Sequence, residues 1–116
     1  MNMKMIMALV KDEITQTIID AARDAGATGA TVITSAQGEG LKKEKTFFGL
    51  DLATQRDIVI FLVEGSKSRE IIEEIAKAGR FDDDPGAGMA CQIRLEDVVG
   101  LTSQMSTLIH EVEDEL

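Results

Sequence analysis

Apolar and polar positions alternate along the chain in short stretches of two periods, one fitting strands and one fitting helices. Met3 to Val10 is a brief apolar run that stops at the charged Lys11-Asp12-Glu13, which predicts a buried strand. Asp12 then offers a helix N-cap. Ile14, Ile18, Ala21, Ala22 and Ala25 recur at helical spacing, and Gly26 supplies a C-terminal stop. Ala30 to Ser35 is rich in β-branched residues between Gly29 and Gly38, so it predicts a second strand. Asp57 to Val63 carries six apolar residues without a polar break, the pattern of a central strand covered on both faces. Ser66 can cap a second helix with a stripe of Ile71, Ile72, Ile75, Ala76 and Ala78, an i,i+4 pair of Glu73 and Lys77, and Gly79 at its end. Met89 to Val99 contains a fourth strand. Thr102 can cap a last helix with the stripe Met105, Leu108, Ile109, Val112 and Leu116.

The resulting order, β-α-β-β-α-β and then a helix, is that of an α+β ferredoxin-like fold, in which an antiparallel sheet packs two helices on one face. The other face is then left open. In a chain this small an apolar open face is normally hidden in an oligomer, so a homo-oligomer is expected. No internal repeat or linker interrupts the pattern, and 116 residues with 44% hydrophobic content suit one core, read as a single domain over 1–116.

Charge and cysteine content narrow the function classes. Twelve basic residues against twenty-one acidic ones give a formal net charge of −9, which repels nucleic acid and anionic membrane surfaces. Cys91 is the single cysteine, so an intrachain disulfide is impossible and a cysteine-based zinc site lacks ligands. No stretch has the length of a signal h-region or a membrane span, and the cytoplasm is the expected compartment.

Two loops concentrate the candidate chemistry. Gln37 to Leu52 contains Gly38, Gly40, Lys42, Lys43 and Lys45, which suits anion binding, or else a strand end followed by a solvated, mobile loop. Arg80 to Gly88 combines Arg80 with Asp82-Asp83-Asp84. These carboxylates suit a hydrated Mg²⁺ or Ca²⁺ in type but not in spacing, and a solvated turn is the simpler reading. Met1, Met3, Met5 and Met7 share one strand face, as a thioether Cu(I) site would require. No Cys or His accompanies them in sequence, however, and methionine commonly fills core gaps. Cys91, on a face with Ile93 and Leu95, reads as a packed core thiol, and His110 as a surface residue. No acid/base or nucleophile constellation stands out, which argues against an enzyme.

The run GATGATVITSAQGEG, Gly26 to Gly40, resembles the nitrogen regulatory PII signalling family, and the resemblance extends over nearly the whole chain. Its carriers are the short first strand MKMIMALVK, the turn Gly26, Thr28, Gly29, Thr31 and Val32, the exit Gly38-x-Gly40, and Ala78-Gly79-Arg80 with Gly88 after the second helix. The resemblance implies a homotrimer with adenine nucleotide in the clefts between subunits. It also implies a T-loop after Gly40 that contacts a target enzyme or membrane transporter. By the same resemblance, ligand contacts fall on Thr31, Gly38, Glu39, Gly40, Leu41, Lys42, Arg80 and Gly88. Departures from the pattern are equally specific. The T-loop is shortened, and the chain has no tyrosine to be uridylylated. Met89 stands where a phosphate-contacting lysine is expected, and Gly100 and Thr102 where paired arginines are expected. Each lost charge-assisted hydrogen bond is worth about 1.5–3 kcal/mol, so AMP or ADP is expected in preference to ATP. Bicarbonate and a cyclic dinucleotide are further anions that suit Arg80 and Lys42. The competing expectation is an interaction module without nucleotide, or a CutA-like metal-tolerance protein of the same fold.

Overall fold

The computed structural model describes residues 2–36, 46–47, 50–51, 55–84 and 86–100. Strand β1 (Met3–Lys11) leads through a 3₁₀ turn, Asp12–Ile14, into α1 (Thr15–Asp24), followed by β2 (Thr31–Ala36). Two short strands, β3 (Thr46–Phe47) and β4 (Leu50–Asp51), pair with each other. They are followed by β5 (Arg56–Glu64), α2 (Gly65–Gly79) and β6 (Gly88–Arg94). The four long strands form one antiparallel sheet in the order β2-β5-β1-β6. This is the expected α+β ferredoxin-like arrangement. The last helix expected from Thr102 onward lies outside the described residues.

Alternation along the strands splits the sheet into two unlike faces. Ile6, Ala8 and Val10 of β1 and Val59, Phe61 and Val63 of β5 are buried against Ile18 and Ala22 of α1 and Ile71 and Ile75 of α2. The intervening residues point the other way. By register, Met5, Met7 and Leu9 of β1 lie beside Leu62, Ile60 and Ile58 of β5, and beside Ile93, Cys91 and Met89 of β6. No helix among the described residues covers this second face, and Ile33, Met89 and Ile93 on it are 47%, 37% and 40% exposed. The uninterrupted apolar run of β5 is therefore covered on one side by the described helices.

Several local expectations are corrected. Asp12 does not cap α1. It begins the 3₁₀ turn, and neither that turn nor α1 has a side-chain cap. Glu64, rather than Ser66, caps α2, its carboxylate accepting a hydrogen bond from the Ser66 N–H at 2.8 Å. Lys77 of α2 forms an exposed ion pair with Glu74, and Glu73 forms one with Arg69, in place of Glu73–Lys77. Cys91 is a half-buried residue of the open face, and the helix-side core does not contain it. Met3 is buried while Met5 and Met7 are half-buried on that same face, and Met1 lies outside the described residues.

Candidate functional site

One end of the sheet collects the features that a ligand site needs. Because β2, β5 and β1 are antiparallel and α2 runs back along β5, that end gathers the close of β2, the first residue of β5, the close of α2 and the start of β6. Arg56 stands at the junction. Its register partners are Ala36 on β2 and Lys11 on β1, and only 4% of it is exposed. Its guanidinium donates to the Gly86 carbonyl oxygen at 3.0 Å through Nη2 and to the Ala87 carbonyl oxygen at 3.4 Å through Nη1. Burying a guanidinium is costly unless hydrogen bonds replace its water, and these two carbonyls do part of that.

Two residues near this junction hold backbone conformations that side chains normally avoid. Ser35 has φ 59° where the β2–β5 register shifts between Ile33 and Ala36, the signature of a β-bulge. Arg80 has φ 55° and ψ 41° as the left-handed C-cap of α2. A non-glycine residue pays about 1–2 kcal/mol there, and such residues persist where surrounding structure over-determines them. The surroundings of Arg80 are visible. Its carbonyl accepts from the Asp83 and Asp84 N–H groups, and the Asp84 carbonyl accepts from Ala87 N–H at 3.0 Å. The turn is thus stapled at both ends, to Arg80 and to Arg56.

A second buried polar contact supports the same end. Thr15 Oγ1 donates to Asp57 Oδ2 at 2.6 Å, both groups buried, tying the first turn of α1 to β5. Asp12 N–H also donates to the Gln55 carbonyl at 3.4 Å.

The structure distributes the expected ligand residues unevenly. Arg80 is exposed beside the junction and Gly88 opens β6 there. Thr31 is exposed on the open sheet face opposite Ile60, four positions from Arg56 and hence about 13 Å along the strand. Within the chain Thr31, on the open face, and Arg80, at the C-cap of α2, do not lie together. Gly38, Glu39, Gly40, Leu41 and Lys42 lie outside the described residues, as does most of the segment expected to be mobile. The described part of that segment forms the Thr46↔Asp51, Phe47↔Leu50 ladder, which the loop reading did not anticipate. Gly88 has a packing reason of its own: a methyl there would sit 2.7 Å from the Leu9 carbonyl oxygen and 2.7 Å from Phe81 Cε1.

Sequence reasoning passes over Arg56 and Ser35. The only sign of Arg56 is a charged pair, Arg56-Asp57, directly before an apolar run, and nothing in the sequence marks Ser35. Asp82, Asp83 and Asp84 are exposed. Among the described residues, no three His, Cys, Asp or Glu side chains are grouped to hold a metal ion. A shallow depression of about 290 Å³ between α2 and this turn is lined by Glu73, Asp82 and Asp83 against Lys77, with Ala76. Its charge does not suit an anion. Among the described residues, no helix is long and apolar enough to cross a membrane.

Solved structures share this architecture. A Thermus thermophilus protein assigned to PII-like signalling superimposes with a TM-score of 0.60 at 17% identity, over 81% of this chain and 87% of that one. CPII of Thiomonas intermedia, bound to ADP, AMP and acetate, gives 0.60 at 16% identity over 83% and 90%. At such identities the likeness speaks for the fold. No curated protein matches the chain. The family model for the nitrogen regulatory protein P-II matches residues 3–104, nearly the whole chain, and with the sheet order and the paired loop roots just described this places the protein in the P-II family.

Proposed function

We propose that this chain, as a single domain over residues 1–116, is a cytoplasmic trimeric sensor. It binds AMP or ADP between subunits and regulates a partner enzyme or membrane transporter without catalysing a reaction itself. The observation that carries this reading is the separation of Thr31 from Arg80. The open face bears Thr31, the loop end bears Arg80, and the two can serve one ligand when the open face of one subunit lies against the loop end of its neighbour. Family membership and the adenine nucleotides held by the Thiomonas protein support the choice of ligand. Gly38 to Lys42 would complete the site from the segment after β2, with Gly88 fixing the start of β6.

Electrostatics favours a small phosphate load. Lys11, Arg56 and Arg80 at the loop end face Asp12, Glu13 and Asp82 to Asp84 in the same region, so no strong positive field exists among the described residues to neutralise a triphosphate. Direct contact with Arg80 must do that. Isothermal calorimetry with AMP, ADP and ATP tests the reading, with ATP expected to be weakest. Arg80→Ala should weaken AMP or ADP by about tenfold to a hundredfold, the equivalent of one charge-assisted contact of about 1.5–3 kcal/mol. No heat from any adenine nucleotide at millimolar concentration would reject it in favour of a nucleotide-free interaction module.

A further inference from the structure

Arg56 has no place in the ligand set implied by family resemblance, yet its backbone and its buried guanidinium together join the end of β2 to the turn before β6. Its backbone pairs with Ala36, one residue beyond the left-handed Ser35, and its side chain holds the Gly86 and Ala87 carbonyls, thirty and thirty-one residues away in sequence. From Ala87 the connection continues through Asp84 to the left-handed Arg80 by backbone hydrogen bonds. We infer that Arg56 is a positioning residue: it fixes the turn between α2 and β6, and so sets the orientation in which Arg80 meets an anion.

Physical chemistry separates this role from plain support of the fold. A buried cation seldom adds net stability over an apolar side chain of similar size, so stability alone is a poor reason for Arg56 to be there. A planar fork of donors on two successive carbonyls is, by contrast, a device for fixing geometry, one that the single ammonium of lysine cannot reproduce. The strained residues point the same way. The left-handed Arg80 needs its turn held in place, and the hold at the far side of that turn is Arg56. The part of this inference that concerns affinity rests on the nucleotide reading above, whereas the part that concerns the turn does not.

Arg56→Lys tests both parts. In the unliganded protein, amide exchange at Asp84 and Ala87 should accelerate at least tenfold, while Ile6 and Val59 in the sheet core keep their rates. AMP or ADP affinity should fall about tenfold. In a double-mutant cycle, Arg56→Lys made in the Arg80→Ala background should cost less than threefold, because the turn would then have no phosphate contact to position. Uniform acceleration across the sheet, unchanged exchange in the turn, or full additivity with Arg80→Ala would each overturn the inference. If the wild-type protein binds no adenine nucleotide, the ligand reading fails, and the exchange rates still decide whether Arg56 holds the turn. Should Arg56→Lys not fold, Arg56→Gln, which also lacks the two-pronged guanidinium, takes its place and is expected to move exchange and affinity in the same directions. No change in either would equally overturn the inference.

Discussion

Replacing Gly88 with alanine separates a packing role from a ligand role at a position the family resemblance assigns to the ligand. Gly88 pairs with Val10 at the start of β6, and an added methyl would lie 2.7 Å from the Leu9 carbonyl oxygen, 2.7 Å from Phe81 Cε1 and 3.2 Å from Cζ. Comfortable carbon contacts begin near ~3.5 Å, so both neighbours stand too close. The Phe81 ring can rotate away. The Leu9 carbonyl cannot, because β1 is hydrogen-bonded to β5 on one side and β6 on the other. Overpacking of this kind costs about 1–3 kcal/mol. A Gly→Ala change also restricts the unfolded chain, which returns about 0.4–1 kcal/mol. Taking the middle of both ranges, the net loss is about 1.3 kcal/mol, and a domain of this size should lose about 5 °C in Tm. Differential scanning calorimetry without nucleotide, at one fixed protein concentration, reads this directly, since any self-association makes Tm depend on concentration. Adding Phe81→Leu should recover only the part due to the ring. An unchanged Tm in Gly88→Ala would refute the steric argument, and complete recovery with Phe81→Leu would refute the role given to the Leu9 carbonyl.

Thr15→Val removes the donor to the buried Asp57 carboxylate, and a loss of about 1.5–3 kcal/mol is expected in urea titration; a loss below about 0.5 kcal/mol would mean that water replaces the hydroxyl. Arg80→Gly should separate stability from binding. Relief of the left-handed conformation, about 1–2 kcal/mol, less about 0.4–1 kcal/mol for glycine's freer unfolded chain, leaves a melting temperature equal or slightly higher, while AMP or ADP affinity falls as in Arg80→Ala. A clear drop in Tm would contradict the strain assigned to that residue. Ile60→Glu places a charge on the open face, opposite Met7 and Thr31, and should yield a folded monomer by light scattering and circular dichroism. A trimer mass persisting in that variant would show that the open face is not the interface.

The sequence was sufficient for whatever depends on local period. Strands and helices are recognisable because a buried strand repeats every two residues and an amphipathic helix about every 3.6, and the stripe Ile18, Ala22, Ala25 and the pair Ile71, Ile75 fall where the periodicity puts them. The element order then restricts the sheet to very few topologies. Family membership was likewise legible, from glycines and threonines at fixed spacing between Gly26 and Gly40. Helix starts were not legible from residue type. Asp12 and Ser66 are both good caps by composition, but the chain leaves β1 through a 3₁₀ turn and enters α2 one residue after Glu64, and only the backbone path decides which side chain reaches a free N–H. Tertiary structure alone decided the rest. The run Ile58 to Val63 looks doubly buried because sequence cannot distinguish a face covered by a helix from one left open; register does so by setting Ile58, Ile60 and Leu62 beside Leu9, Met7 and Met5 on the side the described helices leave bare. Arg56 was invisible for a related reason. Its partners lie thirty residues further along the chain, and the chemistry of a buried guanidinium comes from what the fold brings to it.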